Sequence, residues 1–552
     1  MKNIILLCLT VACAASAQSE ACESRTVQTA QGPVRGYKND DKDIFFFYGI
    51  PYATAPTGTR KFTAPLPGPE WKQPFEAVTK NIVCPQGKHQ SLNLTGYEER
   101  EDCLLANVYM PDTNETNLSV LVYVHGGGYV IGFGEALVPT ALVRTKKVVA
   151  VTFNYRLGVH GFLCLGTEGA PGNAGMKDQV ALLRWVQKNI ANFGGNPDDV
   201  TIGGFSAGSS AVDLLMLSGM TEGLYNKAIP ESGASVGVWS VQIDPVQNAK
   251  NFAKQLNFDN VDNITALEEF YSNLWYDALT SDVFFDRIDS TFVFTPCVEG
   301  DTGVEKFLED APVNILAQGK NRKVPVLYGF ANMEGLFRIG NFLQWKNGMN
   351  EKFSDFLPPD LQFKDDKEKE ELAQRIKNFY FGDEIVSETT MQGYIDYFSD
   401  IMFAYPHLRA VKLQVDAGSD SIYLYEFSYY KPYPNNIGLP EFMKNVRGAG
   451  HCAQSTVVHE SNKFIGFPDN SEDFKTMKRI MIELWLNFIT TGKPVPEGSK
   501  LPPWPPVGAN RSPHMDLDLQ LNLKGSLNEK RARFWDDIYQ QFFRPPIAPL
   551  KL

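Results

Sequence analysis

Val200-Thr201-Ile202-Gly203-Gly204-Phe205-Ser206-Ala207-Gly208-Ser209-Ser210 decides how this chain is read. A β-branched run leads into Gly204-Phe205-Ser206-Ala207-Gly208, and the segment after it reads as a helix. Strand, sharp turn and helix are the setting a nucleophile elbow needs. A serine on such a turn sits in a strained backbone. The positions beside it must be small, because strand and helix pass close on either side, and Gly204 and Gly208 satisfy that. Ser206 then presents its hydroxyl at a helix N-terminus, where negative charge is favoured.

Other runs extend the pattern outward. Ser119 to Val124 and Val148 to Asn154 are apolar on both faces, as strands covered by helices on each side must be. Met176 to Phe193 repeats Val180, Leu183, Val186, Ile190 and Phe193 at helical spacing, and Gly194-Gly195-Asn196-Pro197 stops it. Strand, helix, strand in that order is a parallel α/β unit. Lys323 to Phe330 and Ser421 to Tyr429 read as further strands, residues 350–415 as largely helical, and residues 475–491 as an amphipathic helix. No repeat or linker divides the chain. The expectation is one α/β-hydrolase domain over residues 18–552, a central, mostly parallel sheet flanked by helices, with long insertions.

A hydrophobic content of 43% and a charge content of 21% over 552 residues describe a globular chain with a large core. The net charge of −12 and the lack of a basic patch argue against nucleic acid as a partner. Residues 1–17 read as a secretory signal: Lys2, an apolar run from Ile4 to Ala15, and the small-residue site Ala15-Ser16-Ala17. No later run is long and apolar enough for a membrane anchor. Export makes the cysteines disulfide candidates, and the pairing among Cys22, Cys84, Cys103, Cys164, Cys297 and Cys452 stays open. Sequons at Asn93, Asn114, Asn117, Asn263 and Asn510 fit an exported glycoprotein.

A serine hydroxyl is a weak nucleophile and needs a base, usually His, oriented by a carboxylate. His407, His451, His459 and His514 lie far enough downstream to follow an acid in the order Ser, acid, His. His451 ends Arg447-Gly448-Ala449-Gly450-His451, a loop that lets an imidazole lean into a site, whereas His459 falls in a helical stretch and reads as a surface or packing residue. Glu334 follows a strand in Ala331-Asn332-Met333-Glu334-Gly335, where α/β folds bind and react. Backbone donors for an oxyanion are offered by His125-Gly126-Gly127-Gly128 and by Ala207.

The chain resembles the type-B carboxylesterases, the family of carboxylesterases and cholinesterases, from about residue 25 to about residue 540. The markers are Gly49-Ile50-Pro51-Tyr52-Ala53, Glu101-Asp102-Cys103-Leu104 with Asn107-Val108-Tyr109, Asn154-Tyr155-Arg156-Leu157-Gly158, Gly172-Asn173, Asp178-Gln179, Asn192-Phe193-Gly194-Gly195 and the elbow. The resemblance implies a triad of Ser206, Glu334 and His451, oxyanion donors at Gly127, Gly128 and Ala207, and a Cys84–Cys103 disulfide. It also implies a buried Arg156–Asp178 ion pair, and no cofactor or metal. Three positions depart from the family pattern. Lys61 replaces an Arg expected to pair with Glu101, Gln454 an acid three residues after the histidine, and Glu231 a Gln before Ser232-Gly233.

The likeness extends to secreted insect esterases of the antennal and integument type, which implies small to medium neutral esters such as odorant acetates or xenobiotic esters. Juvenile hormone esterases, which usually have Gln where Phe205 stands, are the alternative. A non-catalytic adhesion branch typically lacks a triad member and often has a transmembrane helix. This sequence retains Ser206, Glu334 and His451 and has no such run, so the reading is a secreted serine ester hydrolase.

Overall fold

The computed structural model describes residues 23–87, 92, 94–280, 287–430, 443, 446–461 and 471–550. The signal expected at residues 1–17, Cys22 and the sequon at Asn93 lie outside them.

Alternation explains the centre of the molecule. Strand β5 (Leu118–Val124) is buried along its whole length. Its residues Val120, Val122 and Val124 enter one hydrophobic core, while Leu121 and Tyr123 enter a second. Successive side chains on a strand point to opposite faces, so a continuous apolar run needs a core on each side. Strand β6 (Val148–Phe153) divides in the same way, with Val149 and Val151 on one side and Val148 and Ala150 on the other.

The main sheet holds thirteen strands among the described residues. β1 (Ser24–Thr29), β2 (Gly32–Lys38), β3 (Ile44–Pro51) and β4 (Leu105–Pro111) build an antiparallel flank that joins β6. The order then runs β6, β5, β7 (Gly195–Phe205), β8 (Lys227–Glu231), β9 (Val326–Ala331), β10 (Ile422–Phe427) and β11 (His514–Leu517), parallel throughout. β12 (Asn522–Lys524) closes the far edge antiparallel. From β5 the chain steps outward to β6, then returns to β7 on the other side of β5. Sheets of this kind bind ligands at the strand ends beside such a reversal.

Helix α1 (Ala174–Asn189) and the 3-10 turn Ile190–Phe193 cover one face with Val180, Leu183, Val186, Ile190 and Phe193. Gly194, at φ 83°, ends the turn in the left-handed conformation. The second face is covered by Glu472–Thr491, whose Met477, Met481, Leu484, Trp485 and Phe488 belong to the other core. Ser471 caps that helix by accepting the Phe474 N–H, so it starts slightly before the apolar pattern does. Two disulfides are present among the described residues, Cys84–Cys103 and Cys164–Cys297, and Cys452 is free and buried. The exposed sequon asparagines are Asn114, Asn117, Asn263 and Asn510. Lys61 does not turn to Glu101: its ammonium donates to the Leu274 carbonyl at 2.5 Å. A compact ammonium lacks the fork that would hold a carboxylate two ways. No described helix is long and apolar enough to cross a membrane.

Candidate active site

Ser206 stands between β7 and helix α2 (Ala207–Leu215) at φ 55°, ψ −122°, a strained conformation for a residue with a side chain. The neighbouring glycines make room for it. A Cβ on Gly208 would come 2.2 Å from the Val124 carbonyl oxygen, and one on Gly204 2.6 Å from that of Gly208. The Ser206 N–H donates to the Glu231 carbonyl on β8 at 2.8 Å, which ties the turn to the next strand.

His451 reaches this serine from a loop more than two hundred residues downstream, its Nε2 lying 2.9 Å from Ser206 Oγ. On its other side Nδ1 lies 2.5 Å from Glu334 Oε2. Glu334 is fully buried just after β9. Its Oε1 accepts the Ala331 N–H at 2.8 Å and the Ser232 hydroxyl at 2.5 Å. Two rings flank the imidazole, Phe403 at 4.1 Å and Phe337 at 5.1 Å. Phe403 lies on a π-helical turn, Asp400–Ala404, that enters helix α3 (Tyr405–Asp416). Such turns displace a side chain from its regular helical position and occur often at functional sites.

Gly126-Gly127-Gly128 follows β5 beside Ser206, since a Cβ on Gly126 would come 2.9 Å from Ser206 Cβ. Gly127 and Gly128 have φ of 108° and 64°, and a Cβ on Gly127 would meet the Ile131 carbonyl at 2.0 Å. Among the described residues their amides donate to nothing. The Ala207 N–H opens α2, where first-turn donors have no intrahelical acceptor. His125 sits beneath this loop, stacked on Tyr155 at 4.3 Å, and burial pushes its pKa down to about 4.

The remaining downstream histidines go elsewhere. His407, on α3, donates from Nδ1 to the Phe403 carbonyl at 3.0 Å and accepts the Gly233 N–H at 3.2 Å. His459 is not inside a helix but caps the end of α4 (Ala453–Val458), buried with its ring 4.1 Å from Tyr123. His514, on β11, lies 2.6 Å from the Gly525 carbonyl. Among the described residues no group of His, Cys, Asp and Glu is arranged to hold a metal ion. A hydroxyl, an imidazole and a buried carboxylate in series can move a proton off the hydroxyl and return it to a leaving group. The model of the carboxylesterase family matches residues 23–535.

This chain belongs to the carboxylesterase family.

As a member it is a carboxylic-ester hydrolase with an α/β-hydrolase fold. It is 34% identical over 534 residues to Esterase FE4 of Myzus persicae, covering 92% of each chain. To juvenile hormone esterase of Heliothis virescens it is 34% identical over 520 residues, 90% of each. A crystal structure of juvenile hormone esterase from Manduca sexta, with OTFP covalently attached, superposes with a TM-score of 0.80 at 30% identity. That match covers 94% of this carboxylesterase and 100% of the other chain. Phe337, Phe403 and the Ser232 link to Glu334 were not legible in the sequence. Only Ser232 left a signal there, as a serine before glycine at a strand end.

Proposed function

We propose that this carboxylesterase hydrolyses small to medium neutral esters through an acyl-enzyme on Ser206. His451 takes the Ser206 proton as the hydroxyl attacks the ester carbonyl, then delivers it to the departing alcohol. Glu334 holds the imidazole tautomer and stabilises the imidazolium that forms. The Gly127, Gly128 and Ala207 amides receive the oxyanion. Water, activated by His451, then releases the acid and restores Ser206. The observation that carries this reading is the series Ser206 Oγ, His451 Nε2 at 2.9 Å, His451 Nδ1 and Glu334 Oε2 at 2.5 Å. The aromatic flank of Phe337 and Phe403 supports an apolar substrate, and the residues 1–17 pattern supports export as a soluble glycoprotein.

The test is covalent labelling with an organophosphate followed by peptide mapping. The wild type takes one label, on Ser206. Ser206→Ala takes none and loses roughly four orders of magnitude or more in turnover while remaining folded. Labelling elsewhere, or turnover within tenfold of wild type, rejects the nucleophile. Hydrolysis of juvenile hormone is a second reading, favoured by the likeness to two juvenile hormone esterases. The apolar Phe205 before the nucleophile stands against it. A panel comparing juvenile hormone with simple acetates separates the two.

A further inference from the structure

Glu231 is a buried acid that none of the steps above uses. It ends β8, has no exposed surface, and pairs with no Lys or Arg among the described residues. Its partners are neutral donors: the Ser455 hydroxyl on Oε2, the Trp485 indole N–H on Oε1 at 3.0 Å, and the Tyr123 hydroxyl at 3.5 Å. The ionisable groups facing it are Tyr123 from β5, Tyr425 from β10 and the Cys452 thiol just before α4, all pushed up by burial. None supplies a compensating positive charge. Burial raises the Glu231 carboxyl itself to about 7. A carboxyl retained in the core at such a cost is a functional indication once geometry supports it.

The geometry is a brace of two rungs. Glu231 accepts from Ser455, and its neighbour Ser232 accepts from Gln454 Nε2 at 2.6 Å. Consecutive residues at the end of β8 thus grip consecutive residues of α4, the helix that begins two residues after His451. Both sides carry strain beside the rungs: Ser232 is at φ 63° and Cys452 at φ 60°. Such conformations persist only where surrounding contacts over-determine them. The same short loop meets the other two members of the series. The Glu231 carbonyl takes the Ser206 N–H, the Ser232 hydroxyl donates to Glu334, and a Cβ on Gly233 would come 2.2 Å from the Ser206 carbonyl oxygen.

We propose that Glu231 is a positioning residue for ester hydrolysis, setting His451 against Ser206 by anchoring α4 through Ser455. The inference rests on the Ser206–His451–Glu334 reading, and it predicts a loss in chemistry rather than in substrate binding. A displacement near 1 Å at the imidazole costs on the order of 100-fold.

The experiment measures kcat and KM for Glu231→Ala, Glu231→Gln and Ser455→Ala well below their unfolding temperatures. Active sites are counted by organophosphate titration, so unfolded protein does not enter kcat. Glu231→Ala and Ser455→Ala are expected to lose roughly 10- to 100-fold in kcat, with KM within about threefold, and to phosphorylate Ser206 more slowly in proportion. Glu231→Gln keeps an acceptor for Trp485 and can exchange a hydrogen bond with Ser455, so it should retain kcat within about threefold. Loss of thermal stability with kcat per titrated site within twofold of wild type in Ser455→Ala overturns the proposal. So does a kcat of Glu231→Gln as low as that of Glu231→Ala. Should Glu231→Ala not fold, Ser455→Ala and Glu231→Gln decide alone. Failure to label Ser206 in the wild type would instead refute the triad reading.

Discussion

Arg156 and Asp178 form a fork beneath the sheet end, with Arg156 Nε donating to Asp178 Oδ2 at 2.8 Å and Nη2 to Oδ1 at 2.6 Å. Both side chains are almost wholly buried. The remaining guanidinium nitrogen reaches the Lys61 and Thr63 carbonyls at 3.0 and 2.8 Å, so one arginine ties the β6–α1 connection to the loop near residue 60.

Asp178→Ala leaves that guanidinium buried without its counter-charge. The expected cost is about 3–5 kcal/mol, because desolvation remains while the attraction is gone. Denaturant unfolding checks this, and a loss below about 1 kcal/mol contradicts it.

Substitution separates two histidines, His459 and His451. Burial pushes His459 down to about 3 from 6.5, so it is neutral in the folded state where the unfolded chain is protonated. Its contribution to stability is complete above about pH 6.5 and is lost as pH falls toward about 3. Over that window it gives a slope of about 1.4 kcal/mol per pH unit. His459→Gln should therefore flatten the acid side of the stability curve yet hydrolyse esters within roughly tenfold of wild type at pH 7.5. His451→Gln should lose roughly three orders of magnitude or more in turnover. If the two activities are reversed, the base has been misassigned.

Non-reducing peptide maps should recover Cys84 with Cys103 and Cys164 with Cys297, and alkylate Cys452 only after unfolding. Loop closure scales with separation, 19 residues against 133. Removing the second bridge should cost more, about 5 kcal/mol against about 3. Equal losses on denaturant unfolding would show that chain entropy is not the governing effect.

Choline esters should gain little over uncharged isosteres of the same size. Binding a quaternary ammonium calls for an aromatic face, Trp being best. The disulfide-closed segment from Pro85 to Asp102 has no Trp, and Phe205, not an acid, precedes Ser206. Tyr97 in that segment is half-buried against Phe133 at 4.9 Å, and the Phe205 ring stacks on Tyr123. A tenfold preference in kcat/KM for the cation, about 1.4 kcal/mol, would refute this.

The sequence alone determined whatever depends on local periodicity or close packing along the chain. Apolar runs such as Leu118 to Val124 demand cover on both faces, and Gly204 and Gly208 leave one sharp turn as the place for Ser206. Helical spacing from Val180 to Phe193 and its glycine stop set α1 before any partner is known. Tertiary structure decided what joins distant segments. Cys164 meets Cys297 across 133 residues, Lys61 turns to Leu274, the His459 ring packs at a tilt against Tyr123, and Phe403 reaches His451 from a π-helical turn. Spacing carries no record of these contacts, because each is settled by which surfaces the sheet order brings together, and for Lys61 also by a buried polar group that must find a partner. The grip of Glu231 and Ser232 on α4 is of that kind: two adjacent pairs of polar side chains, more than two hundred residues apart, bond where the strand ends and the loop of His451 converge.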